Sequence, residues 1–229
     1  MVEAALLRMR TIIGLCVLLG LAAFVLLKRP GSTPGNGAKE TSAVVINKLP
    51  VHFENRTFDP ANPPPEMPPT TPGEAAVCDS NFVASANVSG DTHPTDATHA
   101  SVSVTQVKVT LQLNVTIWTP ADVSPRVMEH ENGHRQISEH YYETADKVAE
   151  RIAATYLGRQ TEITGSDLDG EAGKQLQQMA SEITAEYGKQ LSPEPAQLLY
   201  DTITDHSRND VSVQDAVSHA IKNAAVEAN

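Results

Sequence analysis

The sequence predicts an α+β fold in which an N-terminal antiparallel sheet precedes a long helix and a helical C-terminal half. Residues 101–118 alternate apolar and polar side chains, which is typical of a strand with one buried face. After Ser124 the apolar residues recur every three or four positions, as in amphipathic helices. Strand patterns first and helix patterns afterwards indicate an α+β arrangement.

The first 29 residues are a predicted membrane anchor or signal segment. Thr11 to Leu27 carries no charge and has basic residues on both sides, arginines before it and Lys28 and Arg29 after it. This stretch is long for a signal-peptide core and near the lower limit for a spanning helix. We therefore expect an uncleaved single-pass anchor in a bacterial inner membrane, with the domain in the periplasm, and secretion after cleavage as the alternative. Residues 30–42 are a predicted flexible linker to one domain over residues 43–229.

The composition limits the possible partners. The 28 Asp and Glu residues outnumber the 17 Lys and Arg residues, giving a net charge of −11. Such a chain is a poor match for nucleic acid or anionic lipid. Cys78 is the one cysteine outside the apolar segment, so a disulfide within the domain is excluded. The oligomeric state is not indicated by the sequence.

Three further features concern the sheet. Residues 44–53 have the pattern of a strand that Pro50 interrupts. Residues 60–72 are rich in proline and predict an extended surface loop. Within residues 101–118 the apolar face shifts by one residue at Thr105 and Gln106, which predicts a bulge or a break into two strands.

The helices have clear start and stop signals. Ser124 and Pro125 predict the beginning of a long helix, and Gly158 predicts its end. A second helix is expected over residues 171–191. Ser192 and Pro193 open a shorter helix that we expect to end near His206, and Ser212 caps a last one.

The motif His130-Glu131-Asn132-Gly133-His134 falls on the predicted buried face of the long helix. Histidines four residues apart lie one turn apart on the same helix face, so both rings can bind one metal ion. Glu131 is then placed to act as a general base. The alternative is a pair of core histidines that hydrogen bonds satisfy.

A catalytic zinc site needs a third protein ligand. His140 has the spacing of the metzincins, but Ile137 stands where that family bends the chain with glycine. On a continuous helix His140 points about 120° away from His134, so we expect it on the outer face. A glutamate of the second helix, as in gluzincins, is another alternative; the candidates are Glu171, Glu182 and Glu186.

The chain resembles the bacterial exported proteins of the DUF922 family, which are predicted secreted zinc-dependent proteases. The likeness covers roughly residues 102–207 and consists of a long V/L/T-rich strand, an HExGH motif opening a long helix, and a downstream YDxxTxHG motif. This chain reads YDTITDHS from Tyr200 to Ser207 and so departs at the final glycine. The resemblance implies a zincin-like fold, Zn²⁺ as the metal and His206 as its third ligand, with Thr204 or Asp201 orienting an imidazole. Because Ser207 replaces that glycine, the turn after His206 must be made differently, with Asn209 as the candidate residue.

These features together predict a membrane-tethered, exported zinc endopeptidase that acts on protein or peptide substrates. Zinc would lower the pKa of a bound water to about 7, Glu131 would take the proton, and Tyr200 would donate a hydrogen bond to the oxyanion. The strand within residues 101–118 would pair with an extended substrate if it lay at the sheet edge. The predicted metal ligands are His130, His134 and His206.

Two other functions stay open from the sequence. One is a zinc amidase or other hydrolase of cell-wall material. The other is a non-catalytic envelope module with a structural metal, which a closed site would favour, for instance with Asp201 or Asp205 in the position of the water.

Overall fold

Strand β4 (His99–Pro120) is the centre of the fold, because every other strand pairs with it. The computed structural model describes residues 43–70 and 73–227. The other strands are β1 (Ala43–Lys48), β2 (His52–Phe58), β3 (Val77–Pro94) and β5 (Gln160–Thr164). The helices are α1 (Pro125–Glu143), α2 (Ala145–Ala154), α3 (Leu168–Gln190), α4 (Glu194–Thr204) and α5 (Val213–Glu227). The predicted mixed α+β class is confirmed.

The sheet is mixed, which corrects the predicted antiparallel sheet. Strand β3 pairs antiparallel with β4 over almost its whole length, whereas β1 and β2 pair parallel with it. The chain reverses direction between β2 and β3 and again between β3 and β4, so the first two strands run in the same direction as β4. Because β3 covers one edge of β4, β1 and β2 follow one another along the other edge, separated at Pro50 as predicted.

The shift in the apolar pattern near Thr105 is a bulge and not a break. Ser89 pairs with Gln106 and Gly90 with Val104, so Thr105 is the extra residue on β4. The bulge keeps the valines on both sides of it buried. Since β4 has strands on both edges, the condition under which it would pair with a substrate is not met.

The predicted helix start at Ser124 is confirmed, because its hydroxyl accepts a hydrogen bond from the N–H of Val127 at 3.3 Å. The prediction of one continuous helix to Gly158 is wrong. The chain leaves helical geometry at Thr144 (φ −102°, ψ 6°) and continues as α2. This break lets α2 pack against β1 and β4 while α1 stays with α4 and α5.

The three later helices occur where the sequence predicted them. Helix α3 begins slightly earlier than expected, because the Asp167 side chain accepts a hydrogen bond from the N–H of Gly170 at 3.0 Å. Helices α4 and α5 follow, and the Ser212 hydroxyl accepts a hydrogen bond from the N–H of Asp215.

The apolar residues form two cores. The larger one lies between the sheet and helices α2 and α3. The smaller one joins α1, α4 and α5 and contains Ile137, Ala196, Tyr200, Ala216, Val217, Ala220 and Ala224. Because α1 and α4 pack through this smaller core, side chains near its end are held in fixed relation to one another.

The predicted localisation requires correction. Among residues 43–70 and 73–227, no helix has the length and apolar composition needed to cross a membrane. The predicted anchor over residues 1–29 and the linker over residues 30–42 lie outside the described residues.

Candidate metal centre

Helix α1 brings the two histidines of the motif together. His130 and His134 lie one turn apart, and their Nε2 atoms are 3.2 Å from each other. The rings cross at nearly a right angle, with centroids 4.8 Å apart. His130 is 4% exposed, so this polar pair is set into the protein interior.

Asp201 on α4 completes a triangle of potential ligand atoms. Its Oδ1 atom is 2.9 Å from His134 Nε2 and 3.3 Å from His130 Nε2. Four ligands placed tetrahedrally at zinc-ligand distances lie about 3.3 Å from one another. The three atoms therefore have the spacing that one small divalent ion requires, and these residues form one candidate metal-binding group.

The other nitrogen of each imidazole is held by a neighbouring side chain. His134 Nδ1 contacts the Gln197 amide oxygen, and Gln197 Nε2 donates to the His134 carbonyl at 3.1 Å. His130 Nδ1 lies 3.4 Å from the Thr204 hydroxyl, which itself donates to the Tyr200 carbonyl at 2.8 Å. The Gln197 and Thr204 oxygens accept from Nδ1, so they favour the neutral tautomer with hydrogen on Nδ1. In that tautomer each Nε2 atom has a lone pair available for a metal ion.

The residues present fit a bound zinc ion. Within the described part of the chain, the buried Asp201 Oδ1 has no partner with hydrogen-bond geometry, although His134 Nε2 is only 2.9 Å away. Side chains that bind one metal ion bring their ligand atoms close together without forming hydrogen bonds to one another, and these two atoms are arranged in that way. Two imidazoles and one carboxylate are also a donor set that zinc uses in catalytic sites.

Charge interactions within the triangle are strong. Burial lowers the pKa of His134, but the Asp201 carboxylate 2.9 Å away, with a contribution from the charge of Glu131, outweighs it and raises the pKa to about 9. Burial raises the pKa of Asp201, yet the two histidines outweigh this effect and hold that pKa well below its usual range. Without metal, His134 and Asp201 therefore form an ion pair at neutral pH.

Glu131, the predicted general base, lies beside this triangle and is 4% exposed. Burial raises its pKa to about 7, His134 opposes the rise, and the charges of Glu74 and Asp201 add to it. The backbone N–H of Cys78, at the start of β3, acts in the opposite direction and lowers this pKa. A carboxyl group with this pKa can accept and return a proton near neutral pH.

Tyr200, the predicted oxyanion donor, is fully buried under the two histidines. Its ring stacks on His130 with centroids 5.0 Å apart, and its hydroxyl donates to the His130 carbonyl at 3.2 Å. Burial raises its pKa above the usual range. The side chain packs against the turn that carries His130 and His134, and its role toward an oxyanion stays a prediction.

His206 lies next to the triangle and not within it. Its Nδ1 atom is 2.6 Å from Glu74 Oε1 and 3.8 Å from Asp201 Oδ1. The structure thus brings Asp201, and not His206, within ligand spacing of His130 and His134. The implied role of His206 as third ligand stays a prediction.

The turn that carries His206 has an uncommon backbone. Asp205, His206 and Ser207 have φ values of 45°, 50° and 68°, in the left-handed region that residues other than glycine seldom adopt. Asn209 supports this turn, because its side-chain amide donates to the Ile203 carbonyl at 2.6 Å. Ser207 itself adopts the positive φ that the glycine of the resembling motif would adopt with less strain.

The other candidate ligands lie elsewhere. His140 is exposed, as predicted, and its Nδ1 atom is 3.7 Å from Glu143. The three α3 glutamates contact other partners: Glu171 contacts Lys174, Glu182 contacts Tyr156, and Glu186 contacts Gln190. None of them belongs to a candidate metal-binding group within the described residues.

Three functional positions have little or no signature in the sequence. Asp201 was expected to orient an imidazole or to take the position of the water on the metal. Gln197 and Glu74 were not predicted to lie at the site. Gln197 lies one helical turn before Asp201, so the spacing along α4 was the available signal. Glu74 approaches from the loop before β3, and no local pattern indicates that long-range contact.

Comparison with known proteins found no family model, curated protein or solved structure that matches this chain. The resemblance to the DUF922 family therefore stays a resemblance based on the two motifs.

Proposed function

We propose that this chain is a zinc-dependent hydrolase with a zincin-like site and that it cleaves peptide bonds. The observation that carries the proposal is the triangle of His130 Nε2, His134 Nε2 and Asp201 Oδ1, with edges of 2.9 to 3.3 Å. A histidine pair and one carboxylate leave one position of a tetrahedral ion for water or substrate, as in catalytic zinc sites.

Zinc held by these three residues would supply a Lewis acid that acidifies water and polarises a carbonyl group. Glu131 accepts the proton of the attacking water and passes it to the leaving amine. Gln197 and Thr204 fix the histidine rings, so the two imidazoles do not need to reorganise during the reaction.

A polar cleft lies next to this site, on the side of His130 and Thr204. It has a volume of about 550 Å³, lies between the start of α1 and the loop that joins α4 to α5, and reaches His130. Its walls include Arg126, Glu129, Ser207 and Asn209. A polar cleft that extends past one metal ligand suits a peptide, whose backbone amides need hydrogen-bond partners.

The test compares wild-type chain and Glu131→Gln, each loaded with zinc, on denatured proteins and quenched fluorescent peptides. We expect Glu131→Gln to keep its zinc and to lose activity by about 10² to 10⁴-fold, because the general base is removed. Glu139→Gln on the outer part of α1 is the matched control and should cleave at the wild-type rate. Full turnover by Glu131→Gln would exclude this mechanism, and a zinc-loaded wild type that cleaves none of these substrates would exclude peptidase activity.

A further inference from the structure

A second group of potential metal ligands lies beside the first. It consists of Glu74, Asp201 and His206, whose ligand atoms all lie within 4.8 Å of one another. Glu74 Oε1 is 2.6 Å from His206 Nδ1, which is 3.8 Å from Asp201 Oδ1. Asp201 therefore belongs to both groups and lies between them.

The two groups share an uncommon feature of their polar atoms. Within the described residues, Asp201 Oδ1 and His206 Nδ1 are both buried without a partner of hydrogen-bond geometry. A carboxylate oxygen lies only 2.6 Å from that nitrogen, so the atoms are close but not aligned as donor and acceptor. Such an arrangement is expected where each atom directs a lone pair toward a common third point.

The chain holds these side chains from separate elements. Glu74 comes from the loop before β3 and its side chain is 16% exposed, Asp201 comes from α4, and His206 comes from the left-handed turn after α4. Three carboxylates, those of Glu74, Glu131 and Asp201, thus meet in a partly buried space. A single divalent ion in the first group offsets two negative charges, and a second cation would offset the third when Glu131 is ionised.

The donor set of the second group is two carboxylates and one imidazole, which suits divalent transition ions such as Zn²⁺. Pairs of ions that share ligands are a known arrangement in hydrolytic sites, where they stabilise the attacking and the leaving atoms together.

We propose that Glu74, Asp201 and His206 form a second divalent-cation site, so that the centre binds two zinc ions with Asp201 as their shared ligand. The inference rests on the proposed metal centre, because Asp201 belongs to both sites. Its test does not depend on hydrolytic activity.

The test measures zinc per chain in the full-length, untagged protein after equilibrium dialysis against zinc, with the metal quantified by mass spectrometry. We expect two zinc ions in the wild type, one in Glu74→Gln and one in His206→Ala. Asp201→Asn should weaken both sites. Glu143→Gln and His219→Ala, which change exposed residues of the same types, should keep two. Circular dichroism checks folding, and His206→Asn replaces His206→Ala if the latter unfolds.

The outcomes separate this inference from the proposed function. One zinc ion in the wild type, unchanged in Glu74→Gln and His206→Ala, would overturn the second site and leave the first intact. One zinc ion that His206→Ala removes would also overturn it, because His206 would then be a ligand of a single ion. A wild type that binds no zinc would overturn both proposals.

Discussion

Gly133 on α1 faces Tyr200 on α4 so closely that a Cβ atom at position 133 would overlap the phenol group. The Tyr200 hydroxyl donates to the carbonyl of His130, and its ring stacks on the same residue. The absence of a side chain at Gly133, between the two histidines, therefore leaves the space that Tyr200 of α4 occupies. Asp201, the residue after Tyr200, reaches the two histidines because of this contact.

Gly133→Ala should consequently destabilise the protein. Alanine favours a helix by about 1 kcal/mol over glycine, but the overlap with Tyr200 displaces α4 at a cost of about 1–3 kcal/mol or more. Thermal unfolding and zinc titration should show a lower melting temperature and weaker zinc binding. Gly173→Ala on α3 is the control, because a Cβ there meets open space. If both variants were equally stabilised, the packing role of Gly133 would be disproved.

Gln197→Ala should weaken zinc binding without removing a ligand. The change removes the acceptor for His134 Nδ1, so the ring loses its preferred tautomer and orientation. Loss of such an outer partner typically costs 10- to 100-fold in metal affinity, and we expect an effect of about that size. Competition with a zinc chelator measures the affinity. Gln178→Ala, at an exposed position of α3, should bind zinc like the wild type, and equal affinity in both variants would count against the orienting role.

The metal-free protein should lose stability between about pH 6.5 and pH 9. The pKa of His134 is raised from 6.5 to about 9, so its stabilising contribution is complete below pH 6.5 and is lost as the pH rises through 9. For a domain of this size, each kcal/mol lost lowers the melting temperature by about 2–4 °C. Melting curves after chelation measure this dependence, and His134→Gln should flatten it.

Zinc should reverse this trend, because ligand histidines must be neutral to bind the metal. The increase in melting temperature that zinc produces should therefore grow as the pH rises from 6.5 to 9. A zinc effect that shrinks over this range would contradict the assignment of His134 as a ligand.

Ser207→Gly should stabilise the turn beside the metal centre. Ser207 has a φ of 68°, which costs a residue with a side chain roughly 1–2 kcal/mol and costs glycine almost nothing. We expect a gain of about 1 kcal/mol in the free energy of unfolding by denaturant titration. Ser218→Gly, inside α5, should instead lose about 0.5–1 kcal/mol. A loss in both variants would show that the turn at Ser207 carries no strain.

Local features were predicted well from the sequence, because they depend on near neighbours along the chain. The cap at Ser124, the bulge at Thr105 and the pairing of His130 with His134 all follow from spacing alone. Strand β3 was missed, because several of its inward side chains are small, such as Ala84 and Ala86, and do not stand out against a polar face.

Features that depend on distant contacts were predicted only in part: Asp201 was placed near the histidines, but not as one of the three predicted ligands. The break at Thr144 has no glycine or proline to mark it and follows from the packing of α2 on β1. The approach of Asp201 to His134 and of Glu74 to His206 joins residues that are far apart in the sequence. Helix packing and the path of a loop determine these contacts, and a local sequence pattern predicts neither.

The most direct test of the metal centre is an anomalous difference map at the zinc absorption edge, from crystals of the zinc-loaded full-length chain. We predict a peak about 2.0–2.2 Å from His130 Nε2, His134 Nε2 and Asp201 Oδ1. Zinc bound only at residues outside this triangle, or no peak between these three atoms in an otherwise ordered site, would contradict the first site; a second peak near Glu74 and His206 is compatible with it.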